Sequence, residues 1–163
     1  MIQANTILSE KAILTEFSRQ KGRYFPLEIL SVEAQPGVGT GYRPDARVTL
    51  RWRGRKVVFL AEINARTAPK GIDQSLGQMK TYAARGKQNL LLVVPYLSKT
   101  IVEMLNRERL SGLDLNGNYL LQSPEMMAIR LDQKNQFPES QPIRKIFSGN
   151  SSLVGRLFLA AKR

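Results

Sequence analysis

Two isolated carboxylates stand in a strongly basic stretch of the chain. Asp45 and Glu62 are the only acidic residues between Ala34 and Ile72, and eight residues of that stretch are Lys or Arg. Carboxylate oxygens are ligands that Mg²⁺ and similar hard cations prefer, and the surrounding cations attract phosphate groups. The pattern therefore predicts either a divalent-metal site that faces a polyanion or two carboxylates that neighbouring arginines neutralise.

The residues around the two carboxylates indicate a β-hairpin. Residues 45–52 alternate between polar and apolar types, as in a half-buried strand, and residues 55–63 contain an apolar run typical of a more central strand. A two-residue turn at 53–54 would place Asp45 opposite Glu62 on one face of the hairpin, with Cβ atoms about 5 Å apart. In that register both carboxylates could bind one cation, whereas a longer turn would shift the pairing.

The composition restricts the partners and the chemistry of this chain. With 25 Lys or Arg against 13 Asp or Glu, the net charge is +12. This charge favours a protein that binds DNA over the alternative, a basic protein that has no polyanionic partner. The chain has no histidine and no cysteine, so a metal would be bound mainly by oxygen atoms, as suits Mg²⁺ or Mn²⁺. The same absence excludes Ser-His-Asp and Cys-His catalysis and fits a cytoplasmic location. No apolar run reaches the roughly 18 residues of a membrane-spanning helix, so no membrane partner is expected.

The periodicity of apolar residues predicts one α/β domain over residues 1–132. Its order of elements indicates a mixed central sheet with helices on both faces. Helices are expected at 5–20, 69–85 and 98–110. Strands are expected at 26–35, 45–52, 55–63, 90–94, 113–115, 119–121 and 127–131.

The chain beyond this domain is predicted to form a linker and a C-terminal helix. Residues 133–142 are polar and contain proline, which is typical of a linker. Residues 143–163 return to an apolar pattern that begins near Ser and Asn residues suited to capping a helix. This segment is interpreted either as a terminal helix that docks on the sheet or as the first helix of a winged-helix domain.

The two carboxylates belong to a motif with a characteristic order. Pro44-Asp45 begins one predicted strand, sixteen residues follow, and Glu62-Ile63-Asn64 ends the next. At these residues the chain resembles the PD-(D/E)xK nuclease superfamily, which has the restriction-endonuclease-like fold. The helix at 69–85 carries Gln78-Met79-Lys80-Thr81-Tyr82, which is similar to the QxxxY element of the RecB-like branch. The resemblance extends over residues 5–121, with a weaker match at 112–118 to stretches that precede a winged helix in nuclease-like domains.

The resemblance implies a DNA-binding protein with a Mg²⁺-dependent phosphodiesterase site. Asp45, Glu62 and the carbonyl of Ile63 would hold Mg²⁺ or Mn²⁺, which polarises a phosphate and lowers the pKa of a bound water. Gln78 and Tyr82 lie four residues apart and would orient the site or the substrate strand. Alternatively, these two are a solvent-facing amide and a half-buried aromatic residue. A further carboxylate could come from Glu16 or Glu28.

The motif departs from the family pattern at Asn64, where the family has Lys. Asparagine is neutral and cannot supply the cation that steadies the developing charge. Either a cation from a nearby element replaces it, with Arg66, Lys70 and Lys80 as the candidates, or catalysis is lost. The alternative function is therefore a non-catalytic DNA-binding module or regulator that retains the nuclease fold.

Basic residues on and around the hairpin are the predicted phosphate contacts. Such contacts position a duplex without reading its sequence. Arg53, Arg55 and Lys56 add further positive charge to the hairpin and are expected beside the carboxylates. The alternative is a solvated hairpin edge without a ligand. The predicted nucleic-acid-binding residues are Arg43, Arg47, Arg51, Arg66, Lys70 and Lys80.

Overall fold

A computed structural model describes residues 8–36, 43–66, 68–84, 86 and 88–137, all within the compact unit Ile7–Phe137. Helices are α1 (Glu10–Arg19), α2 (Pro69–Ala83) and α3 (Lys99–Glu108), and a 3₁₀ turn occupies Lys21–Tyr24. Strands are β1 (Glu28–Ala34), β2 (Ala46–Trp52), β3 (Arg55–Ile63), β4 (Asn89–Val94), β5 (Ser111–Asp114), β6 (Tyr119–Ser123) and β7 (Met126–Arg130). The predicted C-terminal helix at 143–163 lies outside the described residues.

The described strands form one seven-stranded mixed sheet in the order β1-β2-β3-β4-β5-β6-β7. Neighbouring strands are antiparallel from β1 to β3 and from β5 to β7, and they are parallel from β3 through β5. The two parallel connections pass through α2 and α3, since parallel strands need a crossover. The start of β2 and the carboxyl ends of β3, β4 and β5 therefore share one edge of the sheet, which we call the carboxyl edge.

Helices cover both faces of the sheet. Ile13 and Phe17 of α1 enter a core with the buried residues of β2 and the odd-numbered residues of β3. On the other face, α2 and α3 pack over β4 and β5 around Leu60, Leu92 and Ile101. Successive residues of β3 are buried in the two cores on opposite faces of the sheet, which explains why this strand is apolar on both sides. The predicted mixed α/β sheet with helices on both faces is confirmed.

The β2–β3 hairpin has the register that a two-residue turn predicts. Trp52 pairs with Arg55, and the pairing continues without a shift to Ala46 and Ala61. The turn residues Arg53 and Gly54 have φ of 53° and 81°. Positive φ at both positions is the hallmark of a type I′ turn, whose twist matches that of the flanking strands.

The ends of the elements differ from the sequence prediction in physically simple ways. Helix α1 begins at Glu10 rather than at residue 5, because the Ser9 side chain accepts a hydrogen bond from Ala12 N and caps the helix. Ser98 caps α3 in the predicted way, with Ile101 N as the donor. The predicted linker starts at residue 133, yet residues 133–137 pack against the domain and Phe137 is buried in its core.

Candidate functional site

Asp45 and Glu62 lie beside each other at the carboxyl edge. The last hairpin pair is Ala46 with Ala61, so Asp45 and Glu62 come directly beyond it at the open end of the hairpin. Asp45 N donates to Ala61 O at 2.9 Å, and Ile63 N donates to Asp45 Oδ2 at 2.7 Å. Both side chains are half-buried. The Asp45 carboxylate is therefore held against the backbone at the end of β3, next to Glu62.

This edge offers hard oxygen ligands that suit Mg²⁺ or Mn²⁺. Two adjacent carboxylates and the carbonyl of Ile63 would supply ligands of the preferred type. Within the described ranges, however, no group of three or more Asp, Glu, His or Cys side chains gathers around a potential metal position. Waters would have to complete the coordination of any ion bound there, as they commonly do for Mg²⁺.

The two proposed sources of a further carboxylate are engaged elsewhere. Glu28 Oε1 lies 2.6 Å from Arg51 Nη2. Arg51 stands six positions along β2 from Asp45, which corresponds to about 20 Å of strand. Glu16 Oε1 lies 2.7 Å from Arg19 Nη2 on the same helix. Neither carboxylate joins the Asp45–Glu62 pair.

Asn64 joins the end of β3 to α2. Its Nδ2 donates to Ser75 Oγ at 2.8 Å, and its Oδ1 accepts from Arg66 N at 3.0 Å. Its backbone N also donates to Val93 O at 2.9 Å. Both ends of the amide are thus used to shape the connection, a role that the sequence pattern did not indicate. A lysine at this position could not make the same pair of hydrogen bonds, because its ammonium group cannot accept one.

We expect Asn64→Ala to lower the free energy of unfolding by about 1–2 kcal/mol, since two side-chain hydrogen bonds are lost. Ser75→Ala removes one of them and should cost less. In a double-mutant cycle measured by urea denaturation, the pair should show a coupling of at least about 0.5 kcal/mol. Strictly additive effects would contradict a direct Asn64–Ser75 bond.

The predicted helix residues divide between two sides of α2. Ser75, Gln78 and Tyr82 recur at helical spacing and share the side that faces Asn64. Gln78 is exposed and Tyr82 is half-buried. Lys80 lies about 140° around the helix from Ser75, and its Nζ is 2.8 Å from Glu108 Oε1 of α3. Lys80 is therefore directed towards α3, Tyr82 packs against the core between the helices and the sheet, and Gln78 is exposed.

Three of the predicted phosphate-binding residues lie at the carboxyl edge. Arg43 precedes β2, and Arg66 and Lys70 follow β3 at the start of α2. All three are exposed, and they stand outside the five ion pairs formed between described residues. Three exposed positive charges thus lie at the same edge as Asp45 and Glu62.

The cations of the hairpin turn lie at the opposite edge of the sheet. Arg55 is seven positions from Glu62 along β3, which corresponds to about 23 Å. Arg53 and Lys56 are exposed beside it, and the Arg53 guanidinium lies 5.6 Å from the centre of the Trp52 ring. The expectation that these cations flank the carboxylates was wrong, because a straight hairpin separates its turn from its open end.

No family model, curated protein or solved structure matches this chain. Among the described helices, none is long and apolar enough to cross a membrane.

A buried carboxylate, Asp114, was not anticipated from the sequence. Asp114 is fully buried at the end of β5. Its Oδ1 accepts from Asn116 N at 2.8 Å and from Asn118 N at 2.9 Å, and its Oδ2 accepts from Leu97 N at 2.9 Å and Asn118 Nδ2 at 2.8 Å. Burial raises the pKa of Asp114, and the four donors act in the opposite direction.

The amides beside Asp114 bind the segment that follows β7. Asn118 Oδ1 accepts from Gln133 N at 2.8 Å, and Asn116 Oδ1 accepts from Gln136 N at 2.6 Å. All four lone-pair positions of the carboxylate are used by the protein. The stretch at 112–118 therefore holds the fold together and is not a ligand site. The turn itself was predicted from its Asn-Gly-Asn residues, but its burial was not.

Proposed function

We propose that this chain is a DNA-binding protein built on a nuclease-like fold. The observation that carries the proposal is the position of Asp45 against the end of β3, beside Glu62, at an edge where Arg66 and Lys70 are exposed. The PD-(D/E)xK resemblance implies the same order: an Asp at the start of one strand, an acidic residue at the end of the next, and then a helix. The net charge of +12 supports a polyanionic partner.

The hydrogen bonds of the Asn64 side chain favour DNA binding without cleavage. The amide is used by Ser75 and by the backbone of Arg66, so this position supplies neither a cation nor a proton-accepting group to a substrate. Lys80 is paired with Glu108 on the far side of α2. Of the candidate replacements for the family lysine, Arg66 and Lys70 are thus the better placed.

The second candidate function is metal-dependent hydrolysis of a DNA phosphodiester. The position of Asp45 beside the Glu62–Ile63 end of β3 favours it, because two carboxylates and a carbonyl at one place would offer hard oxygen ligands to a single cation. Asp45, Glu62 and the Ile63 carbonyl would hold Mg²⁺ or Mn²⁺, which would activate water and polarise the phosphate. Arg66 or Lys70 would stabilise the negative charge that develops on the phosphate.

The test is a paired binding and cleavage assay. We expect the wild-type protein to bind duplex DNA with an affinity that falls steeply as salt rises, and to leave plasmid and single-stranded DNA uncut with Mg²⁺ or Mn²⁺. Arg66→Gln with Lys70→Gln should weaken binding, whereas Arg107→Gln with Lys99→Gln, on α3, carries the same charge change as a control.

Cleavage that disappears in both Asp45→Ala and Glu62→Ala would replace the first candidate with the second. Cleavage that survives both substitutions would show that the activity does not come from this pair. An absence of salt-dependent DNA binding would overturn both candidates.

A further inference from the structure

One face of the first three strands is partly exposed among the described residues. The helices on that side pack over β4 and β5. On the neighbouring strands Glu28, Glu33 and Lys56 are exposed, Thr49 is half-buried and Val58 is 46% exposed. We call this part of the sheet the open face.

Two cross-strand ion pairs cross this open face. Arg47 Nη1 lies 3.0 Å from Glu33 Oε1, and Arg51 Nη2 lies 2.6 Å from Glu28 Oε1. Each arginine directly faces its glutamate in the pairing of β1 with β2. The two arginines are four positions apart on β2, about 13 Å along the strand.

The open face is continuous with the carboxyl edge. Arg47, Thr49 and Arg51 follow one another on the same face of β2, since alternate residues of a strand share a face, and Asp45 directly precedes the strand. The side of α2 that carries Gln78 borders this face, because the opposite side of the helix meets α3 through Lys80. A chain laid along β2 would therefore pass from the carboxylate pair to the hairpin turn.

We propose that this open face binds the DNA backbone, with Glu28 and Glu33 occupying Arg51 and Arg47 until phosphates replace them. The inference rests on the proposed function and assigns its contact surface. Carboxylate and phosphate present the same bidentate oxygen geometry to a guanidinium group, so one can replace the other.

The paired groups are accessible enough for such an exchange. The side chains of Arg47 and Arg51 are 37% and 38% exposed, and those of Glu33 and Glu28 are 59% and 47% exposed. Exposed pairs of this kind contribute little to folding. The hydrogen bond from Arg51 also holds the pKa of Glu28 below its ordinary value, so the competing carboxylate remains charged at neutral pH. The glutamates thus reduce affinity without being needed for the fold.

The experiment measures binding of a labelled duplex of about 20 base pairs by fluorescence anisotropy at several salt concentrations. Glu28→Gln with Glu33→Gln should tighten DNA binding by about 5- to 10-fold, because phosphates would no longer have to displace a carboxylate from Arg51 and Arg47. Arg47→Gln with Arg51→Gln should weaken it and reduce the slope of log K against log salt by about two. Thermal unfolding of each variant checks that the fold is unchanged.

The matched control is Glu103→Gln with Glu125→Gln, which makes the same change in net charge at exposed positions of α3 and the β6–β7 turn. A similar gain in affinity for the control and the Glu28/Glu33 variant would overturn the inference while leaving the proposed function intact. No salt-dependent binding by any variant, including the wild type, would overturn the proposed function and the inference with it.

Discussion

Replacing Asp114 with asparagine should lower the free energy of unfolding by about 2–4 kcal/mol, because hydrogen bonds to a charged acceptor are worth roughly 1.5–3 kcal/mol each and buried donors would lose their acceptor. The carboxylate is surrounded by four donors. Asparagine keeps the shape of the side chain but turns one acceptor oxygen into an NH₂ group. In one orientation that NH₂ group would face Leu97 N and Asn118 Nδ2, and in the other it would face the backbone N atoms of Asn116 and Asn118. In both, two N–H donors would point at a group that cannot accept a hydrogen bond from them. A loss of this size is a large part of the total stability of an ordinary domain.

Urea denaturation followed by circular dichroism measures this loss. Asp73→Asn is the matched control, because Asp73 is exposed on α2 and the same chemical change there should stay within about 0.5 kcal/mol of the wild type. Equal stability of the Asp114→Asn and Asp73→Asn variants would mean that the Asp114 hydrogen bonds do not support the fold.

The elements that sequence reasoning located correctly are those specified by local pattern. Strict alternation over residues 45–52 identified β2, and Arg53-Gly54 at the turn determined how β2 pairs with β3. The same register brings Asp45 to the end of β3, next to Glu62. A local signal could therefore locate the hairpin that carries both residues.

The features that sequence reasoning missed depend on residues far apart in the chain. The donors to Asp114 include Leu97, which lies seventeen positions away, so no local pattern reveals the burial of this carboxylate. The bond between Asn64 and Ser75 forms only after α2 has folded back on the sheet. Likewise, the sequence shows that Arg47 and Arg51 are basic, but their glutamate partners are assigned only by the pairing of β1 with β2.

The arginine at the end of β7 should be nearly as sensitive as Asp114, although its basic character alone would suggest a phosphate contact. Arg130 Nη2 donates to Arg23 O at 2.7 Å and to Gly117 O at 2.9 Å, and Nη1 donates to Phe25 O at 2.8 Å. Its guanidinium also lies 5.2 Å from the centre of the Tyr119 ring. One side chain thus ties the loop before β1 to the turn between β5 and β6.

Gly117 is part of the same arrangement. Its φ is +99°, and a Cβ there would lie 3.0 Å from Arg130 Nη2 and 3.1 Å from Arg23 O. The absence of a side chain allows the guanidinium to approach the turn, and glycine adopts this backbone conformation without strain. The turn and the arginine therefore depend on each other.

We expect Arg130→Lys to lower the free energy of unfolding by about 2–4 kcal/mol, because hydrogen bonds from charged donors are worth roughly 1.5–3 kcal/mol each and lysine cannot reproduce the planar fork. Arg107→Lys is the matched control, since Arg107 is exposed on α3 and keeps its charge in the substitution. Both variants retain the net charge, so DNA binding in the folded state should be unchanged while unfolding in urea separates them. A stability equal to that of the control would show that charge, rather than the three-carbonyl geometry, is what position 130 requires.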